Sequence, residues 1–172
     1  MKLIMRLLAI SLAAVLLLCG CGGNGPDADP DYSRLITAPV DLRITDCITE
    51  QQLTTIMGCP MTLLGTYEEE TQAIYTASDD SASMVTINLK NQTRGVFDAT
   101  IADYGTRATL FEGVGETAFM VSIPDGDIIR KELLVYVNEY CLGVSVTCAD
   151  TTMVEAYTRQ VAEMMVKALQ PE

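Results

Sequence analysis

Histidine is absent from all 172 residues. That excludes Ser-His-Asp and Cys-His catalysis, and zinc sites that depend on imidazole. Tryptophan is absent too and phenylalanine occurs only three times, so aromatic platforms for sugar stacking have little material. Of the seven tyrosines, Tyr75, Tyr136 and Tyr157 fall in periodic segments and are expected in or beside the core. Positive charge is scarce, with 11 basic residues against 23 acidic ones and a formal charge of −12. Nucleic acid is a poor partner for such a chain, because phosphates must be neutralised by Lys and Arg. Polybasic docking to anionic lipid is disfavoured for the same reason. The acidity reads as a solvated surface that aids solubility.

Long apolar runs are also lacking, except for one at the N-terminus. The chain opens MKLIMRLLAISLAAVLLLCGC. Lys2 and Arg6 give a short positive start, and Leu7 to Leu18 follows with only Ser11 polar. Twelve residues fall short of the roughly 20 that a helix needs to cross a bilayer, but they match the apolar region of a secretory signal peptide. Leu18-Cys19-Gly20-Cys21 resembles the bacterial lipoprotein signal, although Cys19 is an unusual occupant of its position. By that resemblance residues 1–20 are removed, Cys19 among them, and Cys21 receives a diacylglyceryl group through a thioether. Each buried methylene contributes about 0.8 kcal/mol, and two acyl chains hold where one is marginal. The expected location is the outer face of the bacterial cytoplasmic membrane, or the outer membrane in a diderm.

Cleavage leaves 152 residues, and the loss of Lys2 and Arg6 takes the formal charge to −14. Residues 21–40 (CGGNGPDADPDYSRLITAPV) read as the lipidated cysteine and a flexible tether rich in Gly, Pro and Asp, with a reach of about 25 Å. Residues 41–172 are long enough for a single extracytoplasmic domain with its own core.

The domain pattern begins with a helix in TEQQLTTIMG. Thr49 and Gln52 stand at capping-box spacing, Gly58 can end the helix, and Leu53, Ile56 and Met57 share a face. Gln72 to Ala77 and Met84 to Lys90 read as a hairpin, with Val85, Ile87 and Leu89 pointing one way. Phe97 to about Thr106 reads as a helix with Phe97, Ile101 and Tyr104 on one side. Three strands follow, Ala118 to Ile123, Glu132 to Val137 and Tyr140 to Thr147, the last two joined at Asn138-Glu139. In the final helix Thr152 and Glu155 suggest a second capping box. Met153, Tyr157, Val161, Met164, Met165, Ala168 and Leu169 form its apolar stripe, which is read as core packing. The order α-β-β-α-β-β-β-α predicts an α+β domain, an antiparallel sheet of about five strands with helices packed on one face.

ITDCITEQQLTTIMG, the hairpin, FEGVGETAFMV, two further strands and a terminal helix together resemble a family of small, uncharacterised Gram-positive lipoproteins. That family is similar to the extracytoplasmic sensor domains of some actinobacterial serine/threonine kinases. The likeness spans roughly residues 44–170 and implies a sensing or accessory role without a catalytic residue to transfer. Such domains often carry a cysteine beside the aromatic of the first strand. Here Ile74 precedes Tyr75 and the cysteine lies earlier, at Cys59, so a disulfide pairing cannot be carried over.

Other motifs are weak. Gly113-Val114-Gly115 looks like half of a dinucleotide loop, but a strand follows it where that loop requires a helix. A turn feeding the strand is the reading. Glu68-Glu69-Glu70, Asp79-Asp80 and Asp125-Gly126-Asp127 lack the oxygen series of a calcium loop and read as turns. No motif requires a cofactor or a metal. Cys47, Cys59, Cys141 and Cys148 are an even set, as two disulfides outside the membrane would need. Cys141 and Cys148 stand about 23 Å apart on an extended strand, and Cys47 and Cys59 flank a helix roughly 13 Å long. Both local bridges therefore require the chain to double back. Bridges from the helix ends to the last strand are favoured, with local pairing and free thiols still open. The absence of CxxC argues against a catalytic thiol.

Three functions follow. The first is a lipid-anchored binding, sensing or accessory module of the envelope, with an unidentified protein or small-molecule ligand at its sheet face or a cleft beside the last hairpin. The second is an exported hydrolase-type enzyme using carboxylates or a Ser/Lys arrangement, and the third is a thiol-redox lipoprotein.

Overall fold

Local sequence sets most of the elements. The computed structural model describes residues 42–68, 70–78, 82–125 and 128–170. The expected signal segment, Cys21 and the expected tether lie outside the described residues. A single turn, α1 (Ile44–Cys47), precedes α2 (Glu50–Met57). The capping box of α2 is formed: Thr49 Oγ1 accepts from the Gln52 amide and Gln52 Oε1 accepts from the Thr49 amide. Gly58 ends the helix at φ 69°, a left-handed conformation that glycine adopts without penalty.

Strands β1 (Met61–Tyr67), β2 (Gln72–Ala77) and β3 (Met84–Asn91) form a meander. Helix α3 (Arg94–Tyr104) and a 3₁₀ turn (Gly105–Arg107) lead to β4 (Ala108–Leu110), β5 (Thr117–Asp125), β6 (Ile128–Val137) and β7 (Tyr140–Thr147). Helix α4 (Val154–Leu169) closes the described chain. All strands join one antiparallel sheet in the order β1-β2-β3-β7-β6-β5-β4. Asn138 and Glu139, with φ of 48° and 63°, make the tight turn between β6 and β7, and this pair of positive φ values suits a two-residue hairpin loop.

The α+β class and the antiparallel sheet agree with the sequence pattern, but seven strands replace about five. Strand β1 has little alternation to read. It is mostly exposed, and a bulge between Leu63 and Gly65 shifts its register. Strand β4 is three residues long.

The helices also occupy both faces of the sheet, not one. On the first face Tyr75, Ile87, Leu133, Val135 and Val144 pack with Ile44 of α1, Leu53 of α2 and Val161 and Met165 of α4. On the second, Phe97 of α3 packs with Val121, Leu134 and Tyr136. The topology explains the division. Strand β3 lies in the sheet interior and β4 at its far edge, so α3 carries the chain across β7, β6 and β5. Its buried Phe97 and half-buried Ile101 and Tyr104 serve that face.

The last helix differs in detail. Thr152 does not cap it: the Thr152 amide and hydroxyl both donate to Asp150 Oδ1, and the cap position falls to Met153. Ala168 is exposed, while Thr158, Ala162 and Val166 join Val161, Met165 and Leu169 in the buried face.

Candidate functional site

The sheet divides the four domain cysteines, setting Cys141 apart from the other three. On β7, Leu142, Val144 and Val146 fill the first-face core, so Cys141 has the opposite parity and packs with the second-face cluster. Cys47, Cys59 and Cys148 lie with the first-face core. The sheet therefore stands between Cys141 and the rest. Cys47, Cys141 and Cys148 are free thiols; the Cys148 thiol donates to the Asp150 carbonyl at 3.0 Å, and the Cys59 sulfur lies 3.9 Å from Met61 Sδ. No disulfide is formed at Cys47, Cys141 or Cys148, and Cys59, past the end of α2, lies close enough to Cys148, just beyond β7, to raise its thiol. Burial first, then Glu132, pushes the Cys141 thiol up to about 12. Cys47 and Cys148 are raised as well, in each case chiefly by burial and then by a neighbouring aspartate. Since the thiolate is the nucleophile, these three shifts work against redox catalysis.

The remaining sequence motifs are structural where they are described. Gly113 and Gly115 have φ of 84° and 61° and turn the chain into β5. A Cβ on Gly115 would lie 2.4 Å from Val135 Cγ1, so the close approach excludes any side chain. Glu68 and Glu70 turn the chain between β1 and β2, both at positive φ. Glu69, Asp79, Asp80, Gly126 and Asp127 lie outside the described residues. Among the described residues no three or more His, Cys, Asp or Glu side chains gather as metal ligands.

Two surfaces can hold a partner. One is an open cleft of about 380 Å³ where the start of α2 meets β1, lined by Thr45, Ile48, Thr49, Glu50, Leu63 and Tyr75 among others. Its floor is the buried Tyr75 ring, whose hydroxyl donates to the Ile48 carbonyl at 3.3 Å. Beside it Leu63, Leu64 and Tyr67 are exposed along the sheet edge.

The other surface is the half of the second face beyond α3, over which no helix lies among the described residues. It carries a polar relay across four strands. Gln72 Nε2 donates to Asn88 Oδ1 at 2.8 Å, and Asn88 Nδ2 donates to Glu132 Oε1 at 3.3 Å. Glu132 lies on β6 and Asn88 on β3, with β7 between them. The side chain crosses β7 at Gly143, where an added Cβ would stand 2.4 Å from Glu132 Oε1. The absence of a side chain at Gly143 thus admits the side chain of Glu132, a residue only 9% exposed. Ser145 and Thr86 are buried on the same face, and the Ser145 hydroxyl is engaged with the Lys131 carbonyl.

Comparisons of the chain with protein families, with curated proteins and with solved structures find no match. Function therefore rests on the chain's own chemistry. The relay offers oriented donors and acceptors, and Glu132 meets an amide where an acid–base pair would place a second carboxylate. Sequence reasoning missed the relay. Parity does place Asn88 opposite Val85, Ile87 and Leu89, but a contact that spans β7 depends on strand order.

Proposed function

We propose that this protein is an exported lipoprotein, held by a diacylglyceryl group on Cys21, whose domain is a binding, sensing or accessory module of the cell envelope. The carrying observation is the position of Cys21, where a positively flanked apolar run gives way to a Gly/Pro/Asp stretch. About 20 residues then separate it from Leu42, the first described residue; as a flexible coil they would hold the domain about 25 Å from the bilayer. Among the described residues no helix is long and apolar enough to cross a membrane, so the reading relies on the lipid as the anchor. The uncovered sheet face supports the binding role, because its polar groups are fixed in place before any ligand arrives and less ordering remains to be done on binding. The likeness to kinase sensor domains suggests the same role.

Metabolic labelling with radioactive palmitate, comparing wild type with Cys21→Ser, tests the anchor. The expected outcome is label in wild type alone, at the mass of the cleaved chain. Equal label in both, or wild type recovered unprocessed in the cytosol, overturns the proposal.

A further inference from the structure

The uncovered face has a composition that selects a ligand. Tyr67, the last residue of β1, pairs with Gln72 across the strands and is 46% exposed. Its ring lies over Gly65: a Cβ there would meet the Tyr67 hydroxyl at 3.1 Å and ring carbons at 3.3 and 3.4 Å. The backbone thus supports the hydroxyl end of the ring, and nearly half of the residue's surface stays open to solvent. From Tyr67 the row continues through Gln72 and Asn88 to Glu132. Neighbouring strands are about 4.8 Å apart, so the four strand intervals from β1 to β6 give the row a length of roughly 19 Å.

The hydrogen bonding leaves defined vacancies. Gln72 spends one amide hydrogen on Asn88, and its Oε1 receives no hydrogen bond among the described residues. Glu132 spends Oε1 on Asn88, while its Oε2 receives none among them. The carboxylate of this largely buried residue, fixed through one oxygen, is poised to accept a hydroxyl with the other, a short charge-assisted bond. Strand alternation brings Lys90 and Arg130 to the same face. Neither forms an ion pair among the described residues. On a mature chain of formal charge −14, Lys90 and Arg130 beside Glu132 make the inner part of this row less repulsive to an anion than its Tyr67 end, where Glu68 and Glu70 follow.

We infer that this face binds an acidic oligosaccharide, a chain of hydroxyl-bearing rings with carboxylate substituents. The C–H face of a sugar ring is weakly positive and packs on the negative face of the Tyr67 ring. Ring hydroxyls donate to Gln72 Oε1 and Glu132 Oε2, and Lys90 and Arg130 take the carboxylates. Preorganisation by the relay lowers the ordering cost of binding. The inference rests on the reading of the protein as an envelope binding module and names its ligand class.

Calorimetric titration of the mature, full-length protein in detergent with tetragalacturonic acid tests it, with cellotetraose as the neutral control. The expected dissociation constant for the acidic probe is below about 1 mM, with the neutral chain at least about tenfold weaker. Tyr67→Ala and Asn88→Ala each weaken binding about tenfold. Lys90→Gln with Arg130→Gln removes the preference for the acidic probe, and added salt weakens wild-type binding. Circular dichroism confirms that each variant is folded, and the surface change Lys90→Gln keeps the test open should Asn88→Ala unfold. Lack of binding at about 10 mM probe, or affinity unchanged by Tyr67→Ala and Lys90→Gln, overturns the inference. If the probe fails while palmitate still labels Cys21, the glycan assignment falls and the anchored module stands. Binding without lipidation reverses that outcome.

Discussion

Glu50 Oε1 accepts a hydrogen bond from the backbone amide of Leu63 at 2.7 Å, so a helix side chain occupies a donor on the outer edge of the sheet. One helical turn on, Thr54 Oγ1 accepts from the Met61 amide at 2.9 Å. The match is geometric. Four residues of helix advance about 6.0 Å and two residues of strand about 6.6 Å, so side chains at i and i+4 of α2 reach amides at j and j−2 of β1. Helix α2 thereby does at this edge what another strand would do, and the bulge at Leu64 disrupts the register beyond it.

Removing the acceptor should therefore expose a pairing edge. Glu50→Ala is expected to cost about 1 kcal/mol, the net worth of a hydrogen bond whose donor can turn to water. Glu50→Ala combined with Thr54→Val is expected to self-associate through β1. Urea midpoints and light scattering after size-exclusion chromatography check both effects. A double variant that stays monomeric, with an unchanged midpoint, would show that α2 does not guard the edge.

Glycine substitutions should rank by what a Cβ would meet. Gly58 has positive φ but nothing within 4 Å of the added atom, so Gly58→Ala carries only the left-handed backbone penalty, about 1–2 kcal/mol. At Gly115 the same penalty joins a 2.4 Å approach to Val135 and 2.9 Å to the Tyr136 carbonyl, which raises the expected cost to about 3–4 kcal/mol. Gly143 has no positive φ, and the colliding atom is the end of the Glu132 side chain at 2.4 Å. Gly143→Ala should displace that carboxylate, break the bond to Asn88 and cost about 1–3 kcal/mol. Denaturant titration of the three variants gives the order, and Gly58→Ala as the most damaging would refute it.

Phe97 is the apolar anchor of α3 against the second face, in tilted contact with Tyr136 at 5.5 Å between ring centroids and with Phe119 at 6.4 Å. Phe97→Ala should cost about 3–5 kcal/mol and loosen α3 ahead of the first-face core. Hydrogen exchange would then show selective loss of protection over residues 94–104. Uniform loss across the sheet would mean that the two clusters melt as one.

These contrasts show what was legible in the chain. Helix α2 could be read because Thr49, Gln52 and Gly58 act on their own neighbours. Strand β7 was read to its ends because parity and a two-residue turn define it locally. Strand β1 was hidden by its exposure and its bulge, which erase a period of two. The face chosen by α3 was hidden differently: it follows from where β3 and β4 sit in the sheet, and no local pattern records that. The separation of Cys141 from the other cysteines was legible in principle, since Leu142, Val144 and Val146 alternate away from it. The Gln72–Asn88–Glu132 relay was not, because four strands, β7 among them, must be ordered before its members meet.

Cys141 and Tyr75 set the expected behaviour at alkaline pH. Burial pushes both up to about 12, from ordinary values of 9.0 and 10.0. A raised acid pKa means that the folded chain keeps a proton the unfolded chain releases. The stabilisation is therefore complete below the unfolded pKa and is lost as pH rises towards the folded one. For Cys141 that window runs from about 9 to about 12, and for Tyr75 from about 10 to about 12. Within its window each group lowers stability by about 1.4 kcal/mol per pH unit. Urea midpoints of wild type should fall from pH 9 upward, and Cys141→Ala should lessen the decline between pH 9 and 10, where Tyr75 does not yet contribute and the raised thiols of Cys47 and Cys148 account for what remains. In the same range an alkylating reagent should modify Cys148, at the protein surface beyond β7, well before Cys141. Modification of Cys141 first, or identical pH slopes for wild type and variant, would show that α3 does not seal the second face over that thiol.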